Sequence, residues 1–430
     1  MAKEILQLAA AVPLQKHTFN PMVFTQHITA SSFHKYDLNT TNFGESVEYI
    51  FERHCDIVKD VYLSIDLPDL KSNQRWISNI AYAIIKNIKL IIGGQIITEL
   101  SGEYMSIYDK FSLNDHDLNK KLKFMNNKKS TWGQKNTTIR IPLDIFNGYN
   151  NDGYLYIICL AFHEAKINIE FENVYKLIEF KNGTSSYLSS SLSITPVLYT
   201  QNIYLEHGER ANLVQRCIEL YITQLHSNEY DLLKVNKYLE LKKGFFLFRC
   251  FNFNDRNLLF LTDDIIRIIY SFIDYDVDLF DSIHPTFIGS TKEMFWTYSR
   301  VFDDVLYANP DDEPTNTFEY IKACDNELTD NSKIVLVKGN DEFLSIEPYN
   351  HHTNVPDDFI YNYCFNLKPE STPFDKDFSL SGLNFSRFDN DFVFKYKLNK
   401  IKYPLKLKIY NINHNTLRHH SGLAGTAYSY

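Results

Sequence analysis

The chain is poor in the residues that constrain a fold on their own. Its 430 residues include 15 glycines, 13 prolines, six cysteines, five methionines and three tryptophans. Glycine and proline at that level exclude a collagen-like or low-complexity chain. The cysteines stand at positions 55, 159, 217, 250, 324 and 364, with no two in a CxxC spacing. That scatter favours reduced thiols over a disulfide framework. No apolar run reaches the roughly 18–20 residues that a membrane helix needs. Ile80 to Ile97 comes nearest and is broken by Lys86, Asn87, Lys89, Gly93 and Gly94. The apolar stretch within Met1–Val12, carrying one early lysine, is short for a secretory signal. Positive charge is in deficit: 44 Lys and Arg face 53 Asp and Glu, for a net charge of −9 and a pI near 5.9. Such a balance argues against broad binding to phosphate backbones, so no direct contact with nucleic acid is expected.

Chemical motifs are missing too. No GxxxxGKS/T, GxGxxG, HExxH or CxxC pattern occurs. Gly93-Gly94 reads as a turn and not as a phosphate cradle, and His163-Glu164, without a second histidine at helical spacing, reads as a strand-end turn. His351-His352, His414, His419 and His420 show no ordered metal-ligand spacing. Asp263-Asp264 and Asp311-Asp312-Glu313 read as solvated acidic loops. No catalytic, cofactor-binding or metal-binding residue is assigned, and no cofactor is expected. Four Asn-x-Ser/Thr sequons, at Asn39, Asn136, Asn182 and Asn384, are the sole candidate modification sites in an asparagine-rich chain.

What the chain has in excess is aromatic surface: 29 tyrosines and 32 phenylalanines. These residues suit pleated, half-buried surfaces better than helices. Period-2 alternation runs through both halves and predicts strands with one buried face. Val61, Leu63, Ile65 and Leu67 alternate with Tyr62, Ser64 and Asp66. Ile88–Ile92 and Ile96–Leu100 flank Gly93-Gly94-Gln95 and predict a hairpin. Tyr154 to Phe162 is nearly all apolar and predicts a strand buried on both faces; alternation resumes at Ala165, Ile167, Ile169 and Phe171. In the second half, Phe359, Tyr361, Tyr363, Phe365 and Leu367 share one face of a predicted strand. So do Phe392, Phe394, Tyr396 and Leu398, and then Leu405, Leu407 and Ile409. Two stretches break the pattern. Leu213, Val214, Cys217, Ile218, Tyr221 and Leu225 predict a helix or helical turn within Glu206–Leu225. Leu261 to Ile273 predicts a second helix, with a strand as the alternative because isoleucine is β-branched. Asp274 to Asp281 and Asp303 to Glu313 read as acidic linkers. Many short strands between Asn-, Asp-, Ser- and Gly-rich turns indicate sandwiches or barrels instead of βαβ units.

Short segments in order along the chain carry a resemblance. They begin with Leu6-Gln-Leu8, Asn20-Pro21, Phe24-Thr25 and Asp56-Ile57-Val58. Ile141-Pro142-Leu143-Asp144, Leu155 to Phe171 with its His163-Glu164 step, Leu205-Glu206, Glu209-Arg210 and Glu219 to Ile222 follow. The second half has His284-Pro285, Lys292 to Trp296, Ile360 to Phe365, Leu367 to Glu370, Ser381 to Arg387, and Ser421 to Tyr428 within the closing Asn415 to Tyr430. In these segments the chain resembles the major capsid proteins of nucleocytoplasmic large DNA viruses, the double jelly-roll family. Three features depart from the family pattern. Ser31-Ser32-Phe33-His34-Lys35 stands where a glycine and a basic stretch are usual, extra sequence runs from about Tyr238 to Ser282, and more residues separate His284-Pro285 from Lys292-Glu293.

The resemblance implies an all-β protein of two consecutive eight-stranded antiparallel jelly rolls with short helices in the loops. It implies an N-terminal arm over 1–22, a first roll over 23–225, and a second roll over 226–430 with the insertion at about 238–282. The implied function is structural: pseudo-hexameric homotrimers that tile the shell of an icosahedral large DNA virus, without enzymatic activity. The implied partners are neighbouring trimers, minor capsid proteins and an internal membrane beneath the shell. The implied places are the virion and, during assembly, the viral factory in the host cytoplasm. Two alternatives stay open: a scaffold or minor capsid paralogue, and a carbohydrate-binding attachment protein.

Overall fold

The computed structural model describes residues 28–127, 131–135, 137–146, 154–180, 192–215, 217–233, 277–287, 289–300, 318, 320–329, 335–371, 380–385, 392–401 and 405–428. Among the described residues, two pairs of sheets, one sheet extended by the short strands Leu383–Asn384 and Leu423–Thr426, are framed by sixteen strands. In the first half these are β1 (Ile28–Asp37), β2 (Ser46–Ile50), β3 (Ile57–Leu67), β4 (Ile85–Ile92), β5 (Gln95–Leu100), β6 (Thr137–Pro142), β7 (Ala165–Phe171) and β8 (Pro196–Leu205). They form one sheet in the order β1-β8-β3-β6 and a second in the order β2-β7-β4-β5. The second half holds β9 (Ile218–Leu233), β10 (Val277–Ile283), β11 (Ser290–Arg300), β12 (Asp325–Thr329), β13 (Val335–Lys338), β14 (Ile360–Cys364), β15 (Val393–Ile401) and β16 (Leu405–His420). Its sheets run β9-β16-β11-β14 and β10-β15-β12-β13. Adding eight to each strand of the first half reproduces the second. All of these pairings are antiparallel. Two four-stranded sheets packed face to face, repeated once, are two jelly rolls in one chain.

Local sequence explains most strands. In β3, Val61, Leu63, Ile65 and Leu67 are buried while Tyr62, Ser64 and Asp66 are not, as period 2 requires. β7 repeats this with Ala165, Ile167, Ile169 and Phe171 inward. β4 and β5 are joined by Gly93 and Gly94 at φ 57° and 84°, the two positive angles of a tight hairpin turn. A side chain at Gly93 would also strike the His163 ring. Between β5 and β6 lie two helices, α1 (Gly102–Ser112) and α2 (Asp115–Met125). Ser101 caps α1 by accepting from the Tyr104 N–H at 3.2 Å, and Asn114 caps α2 by accepting from the Asp117 N–H at 2.9 Å. α3 (His207–Gln215) leads into β9, and a π-turn over Glu342–Ile346 leads into α4 (Glu347–His351). Among the described residues, no helix is long and apolar enough to cross a membrane.

Four local expectations are corrected. The helix expected over Glu206–Leu225 ends at Gln215, and Ile218 onward is strand, because β16 offers it a full antiparallel partner from His419 to Leu405. The strand expected over Tyr154–Phe162 is a bridge at Leu155 followed by a 3-10 turn over Ile157–Cys159; Leu155, Ile157 and Leu160 pack against the core, while Phe162 is exposed. The Asp-rich run up to Asp281 is not all linker, since Val277–Ile283 is β10, paired with β15. The strand expected from Phe359 to Leu367 is shorter: Phe359 and Leu367 lie beyond β14 and are exposed. The expected helix at Leu261–Ile273, the N-terminal arm and most of the insertion lie outside the described residues.

Candidate functional site, the seam between the two rolls

The sheet β9-β16-β11-β14 is covered on both faces. Leu405, Leu407 and Ile409 of β16 face the interior of the second roll, whereas Tyr410 and Ile412 join the cluster that fills the first roll. Simple alternation would expose the latter pair. They are buried because α1 of the first roll lies over them. Tyr104 meets Tyr410 at 5.5 Å between ring centroids, and Phe111 meets Phe295 of β11 edge to face at 4.9 Å. Such pairs add to simple area burial by about 0.5–1.5 kcal/mol each.

Polar contacts fix the register of the seam. Lys408 of β16 donates to Glu103 of α1 at 2.6 Å and lies 3.4 Å from Glu229 of β9. Burial alone would lower the Lys408 ammonium, but Glu103 and Glu229 outweigh it and hold it above its ordinary range. Lys110 of α1 pairs with Asp358, and the Asn354 N–H donates to the Phe111 carbonyl at 2.9 Å. Gln224 Nε2 of β9 donates to the Ile97 carbonyl at 3.0 Å. At the far end, the strand Leu423–Thr426 folds back on β16 and meets the β4–β5 turn. There Gln95 Nε2 donates to Thr426 Oγ1 at 2.6 Å, and the Phe162 N–H donates to the Gly422 carbonyl at 2.9 Å. The Ala424 N–H donates to His163 Nδ1 at 3.2 Å. The His163-Glu164 step therefore sits against the C-terminal hairpin.

The structure separates the remaining histidines of the sequence reading. His414 is buried between the Tyr221 hydroxyl, which donates to its Nδ1 at 2.7 Å, and the Ser381 carbonyl, which accepts from its Nε2 at 3.0 Å. Burial pushes His414 down to about 4. His419 is buried edge to face with Tyr156, and burial likewise pushes it down to about 4. His420 is exposed. His351 Nδ1 donates to the Leu367 carbonyl at 3.2 Å. His352 alone enters a mixed cluster, with Glu293 and Cys364, whose ligand-type atoms all lie within 4.8 Å of one another. Sequence reasoning missed this trio because Glu293 lies 59 residues before His352, and only the β11–β14 register makes it the cross-strand partner of Cys364. Asp263-Asp264 and Asp311-Asp312-Glu313 lie outside the described residues. Of the sequons, Asn39 is exposed in the loop after β1, Asn384 is partly buried in a short strand paired with β11, and Asn136 and Asn182 lie outside the described residues. The five described cysteines are free.

Two rolls with one strand order, packed through a buried seam, define a double jelly-roll protein. Comparison with known proteins agrees. Residues 24–206 match the family described as "Major capsid protein N-terminus". The chain is 22% identical over 476 residues to the major capsid protein of Phaeocystis pouchetii virus, covering 90% of each chain. It is 24% identical over 446 residues to that of Pyramimonas orientalis virus, covering 96% of this chain and 94% of the relative. PBCV-1 VP54, the subject of a crystal structure fitted into a reconstruction of the virophage Sputnik, superposes with a TM-score of 0.70 at 19% identity, covering 96% of this chain and all of the other. Over nearly its whole length the chain is similar to major capsid proteins of large DNA viruses, and it shares their double jelly-roll fold.

Proposed function

We propose that the chain works by assembly, without catalysis: three copies form a homotrimer of pseudo-hexagonal outline, and trimers tile the virion shell. The observation that carries this reading is the repetition of one eight-strand order within a single chain, across a buried seam. Each chain then supplies two like-shaped wedges, and three chains supply six. Head-to-tail contacts close into a ring when the rotation closes. Contacts between trimers would be the weaker set, so that misplaced units dissociate before the shell sets. Minor capsid proteins and an internal membrane are the proposed partners beneath the shell, and the viral factory in the host cytoplasm is the proposed place of assembly.

The domain division implied by the resemblance, 23–225 and 226–430 with its insertion at about 238–282, is retained with one shift. The pairing of β9 from Ile218 onward with β16 favours a junction between Gln215 and Ile218. Among the sequons, exposure favours Asn39 over Asn384 as an acceptor.

Light scattering during size exclusion tests the assembly reading. A species near three times 50.4 kDa, about 151 kDa, is expected. A monomer across micromolar concentrations would count against it and favour the scaffold or attachment alternatives.

A further inference from the structure

Glu293, His352 and Cys364 meet in the interior beside the seam. Glu293 and Cys364 are direct cross-strand partners on β11 and β14, so their side chains leave the sheet on one face. Beside them, a bulge interrupts the β11–β16 register between Thr291 and Glu293. Bulges re-aim side chains and recur next to functional sites. His352 follows α4 and covers the pair, its ring held by Phe111 of the first roll and Phe295 of β11 at 5.1 and 5.7 Å between centroids. Its side chain is fully buried, and that of Glu293 is 1% exposed.

The Glu293 carboxylate makes no hydrogen bond through either oxygen. Lys292 Nζ approaches it only to 3.7 Å and His352 Nε2 to 3.4 Å. Burying a carboxylate with so little compensation is costly. Something that binds anions strongly at this point would remove the cost.

Two of the three ligand-to-ligand distances match zinc. Tetrahedral zinc, with Zn–S about 2.3 Å and Zn–N about 2.0–2.1 Å, sets sulfur and nitrogen about 3.6 Å apart and nitrogen and carboxylate oxygen about 3.4 Å apart. Here Cys364 Sγ lies 3.5 Å from His352 Nε2, and Glu293 Oε2 lies 3.4 Å from the same nitrogen. The other ring nitrogen, Nδ1, lies 3.0 Å from Glu370 Oε1, and Glu370 also accepts from the Thr353 hydroxyl at 2.6 Å. A carboxylate behind a histidine that aims its free nitrogen at the metal is the usual support of a zinc ligand.

We propose that Cys364, His352 and Glu293 form a zinc site, positioned by Glu370, that pins α4 to the β11–β14 pair at the seam, both Glu293 oxygens, neither of them hydrogen-bonded, completing the four positions. On binding, the Cys364 thiol gives up its proton to solvent. A thiolate, a carboxylate and a neutral imidazole then leave Zn²⁺ with no net charge, as a buried site requires. Cysteine with imidazole favours zinc over magnesium or calcium, which take oxygen ligands. Cys364, His352 and Glu370 also stand in the order of a nucleophile, base and orienting carboxylate. That reading fails on access, since Phe111 and the first roll close over His352.

The test uses the full chain, expressed without a metal-binding tag in medium supplemented first with zinc and then with cobalt. One equivalent of zinc per chain is expected by elemental analysis after dialysis. The cobalt protein is expected to show a thiolate-to-metal charge-transfer band that Cys364→Ser abolishes, although Cys217 and Cys324 remain exposed on the surface. Glu370→Gln is expected to weaken zinc binding about 10–100-fold in competition with a chromophoric chelator. X-ray absorption at the zinc edge of the wild-type chain needs no variant, and is expected to show one sulfur with nitrogen and oxygen neighbours. Zinc well below one equivalent, a cobalt band that survives Cys364→Ser, or a shell with two or more sulfurs would overturn the proposal.

Discussion

The two rolls share a strand order but not a core. In the first, the hydrophobic cluster that runs on into the seam is mainly Ile, Leu and Val, with twelve aromatic residues among fifty-three. In the second, nine of sixteen are aromatic. Trp296 lies stacked on Tyr361, with a ring separation of 5.6 Å, and takes Phe343 and Phe394 edge-on. Rings bring polar groups inside, and those need partners. Tyr298 donates to Asn326 Oδ1 at 2.5 Å, Asn326 Nδ2 donates to Asn340 at 2.8 Å, and the Tyr361 hydroxyl accepts from the Ala323 N–H at 2.7 Å. One topology is thus filled in two ways: by aliphatic side chains that need only be excluded from water, and by rings held in a polar lattice. The first tolerates exchange of one aliphatic residue for another better than the second tolerates loss of a ring.

The strongest test of that contrast is a paired truncation. Trp296→Ala is expected to cost about 3–5 kcal/mol and Leu63→Ala about 2–5 kcal/mol. Denaturant unfolding, followed by tryptophan and tyrosine fluorescence as well as far-ultraviolet circular dichroism, reads both. A smaller loss at Trp296 than at Leu63 would mean that the aromatic core is loosely packed.

Acid should separate the rolls next. His414 and His419 lie on β16 of the second roll, folded with pKa values near 4 against about 6.5 unfolded. A folded value below the unfolded one means that the unfolded chain binds protons first, so stability is full above pH 6.5 and falls as pH drops toward 4. The expected loss is on the order of 2–3 kcal/mol for each histidine by pH 4. His419→Phe should flatten the slope between pH 6.5 and 4; an unchanged slope would show that His419 is not the group responsible.

At the seam, Glu103→Gln leaves Lys408 with Glu229 alone and should cost about 1–3 kcal/mol. Salt should reduce this loss only slightly, because the pair is largely buried. A double-mutant cycle with Lys408→Met gives the coupling, and a value near zero would show that the ion pair contributes nothing to holding the rolls together. The smallest effect belongs to the β4–β5 turn. Gly94→Ala meets open space but keeps a positive φ, for about 1–2 kcal/mol. Gly93→Ala must in addition displace His163 and should cost more in the same thermal melt. Equal costs would mean that His163 moves away freely.

The legibility of the molecule followed the range of the forces involved. β3, β7, the glycine hairpin and the faces of β15 and β16 were readable because a half-buried strand writes its environment into its own sequence with period 2. The start of β9 reads as helix because Cys217, Ile218, Tyr221 and Leu225 happen to fit a 3.6-residue period, and β16, nearly two hundred residues away, overrides it. Tyr154–Phe162 reads as strand because apolar content alone does not distinguish a buried loop from a buried strand.

By itself, then, the sequence determined the class of element at most positions, the all-β character, and the ordered segments that tie the chain to a capsid family. Only the tertiary structure decided which strand lies beside which, that β16 is buried on both faces, and that Glu293, His352 and Cys364 meet at one point. The reason is physical: periodicity reports whether a side chain is buried, but its neighbours across a sheet come from register with distant strands, which no short stretch of sequence encodes.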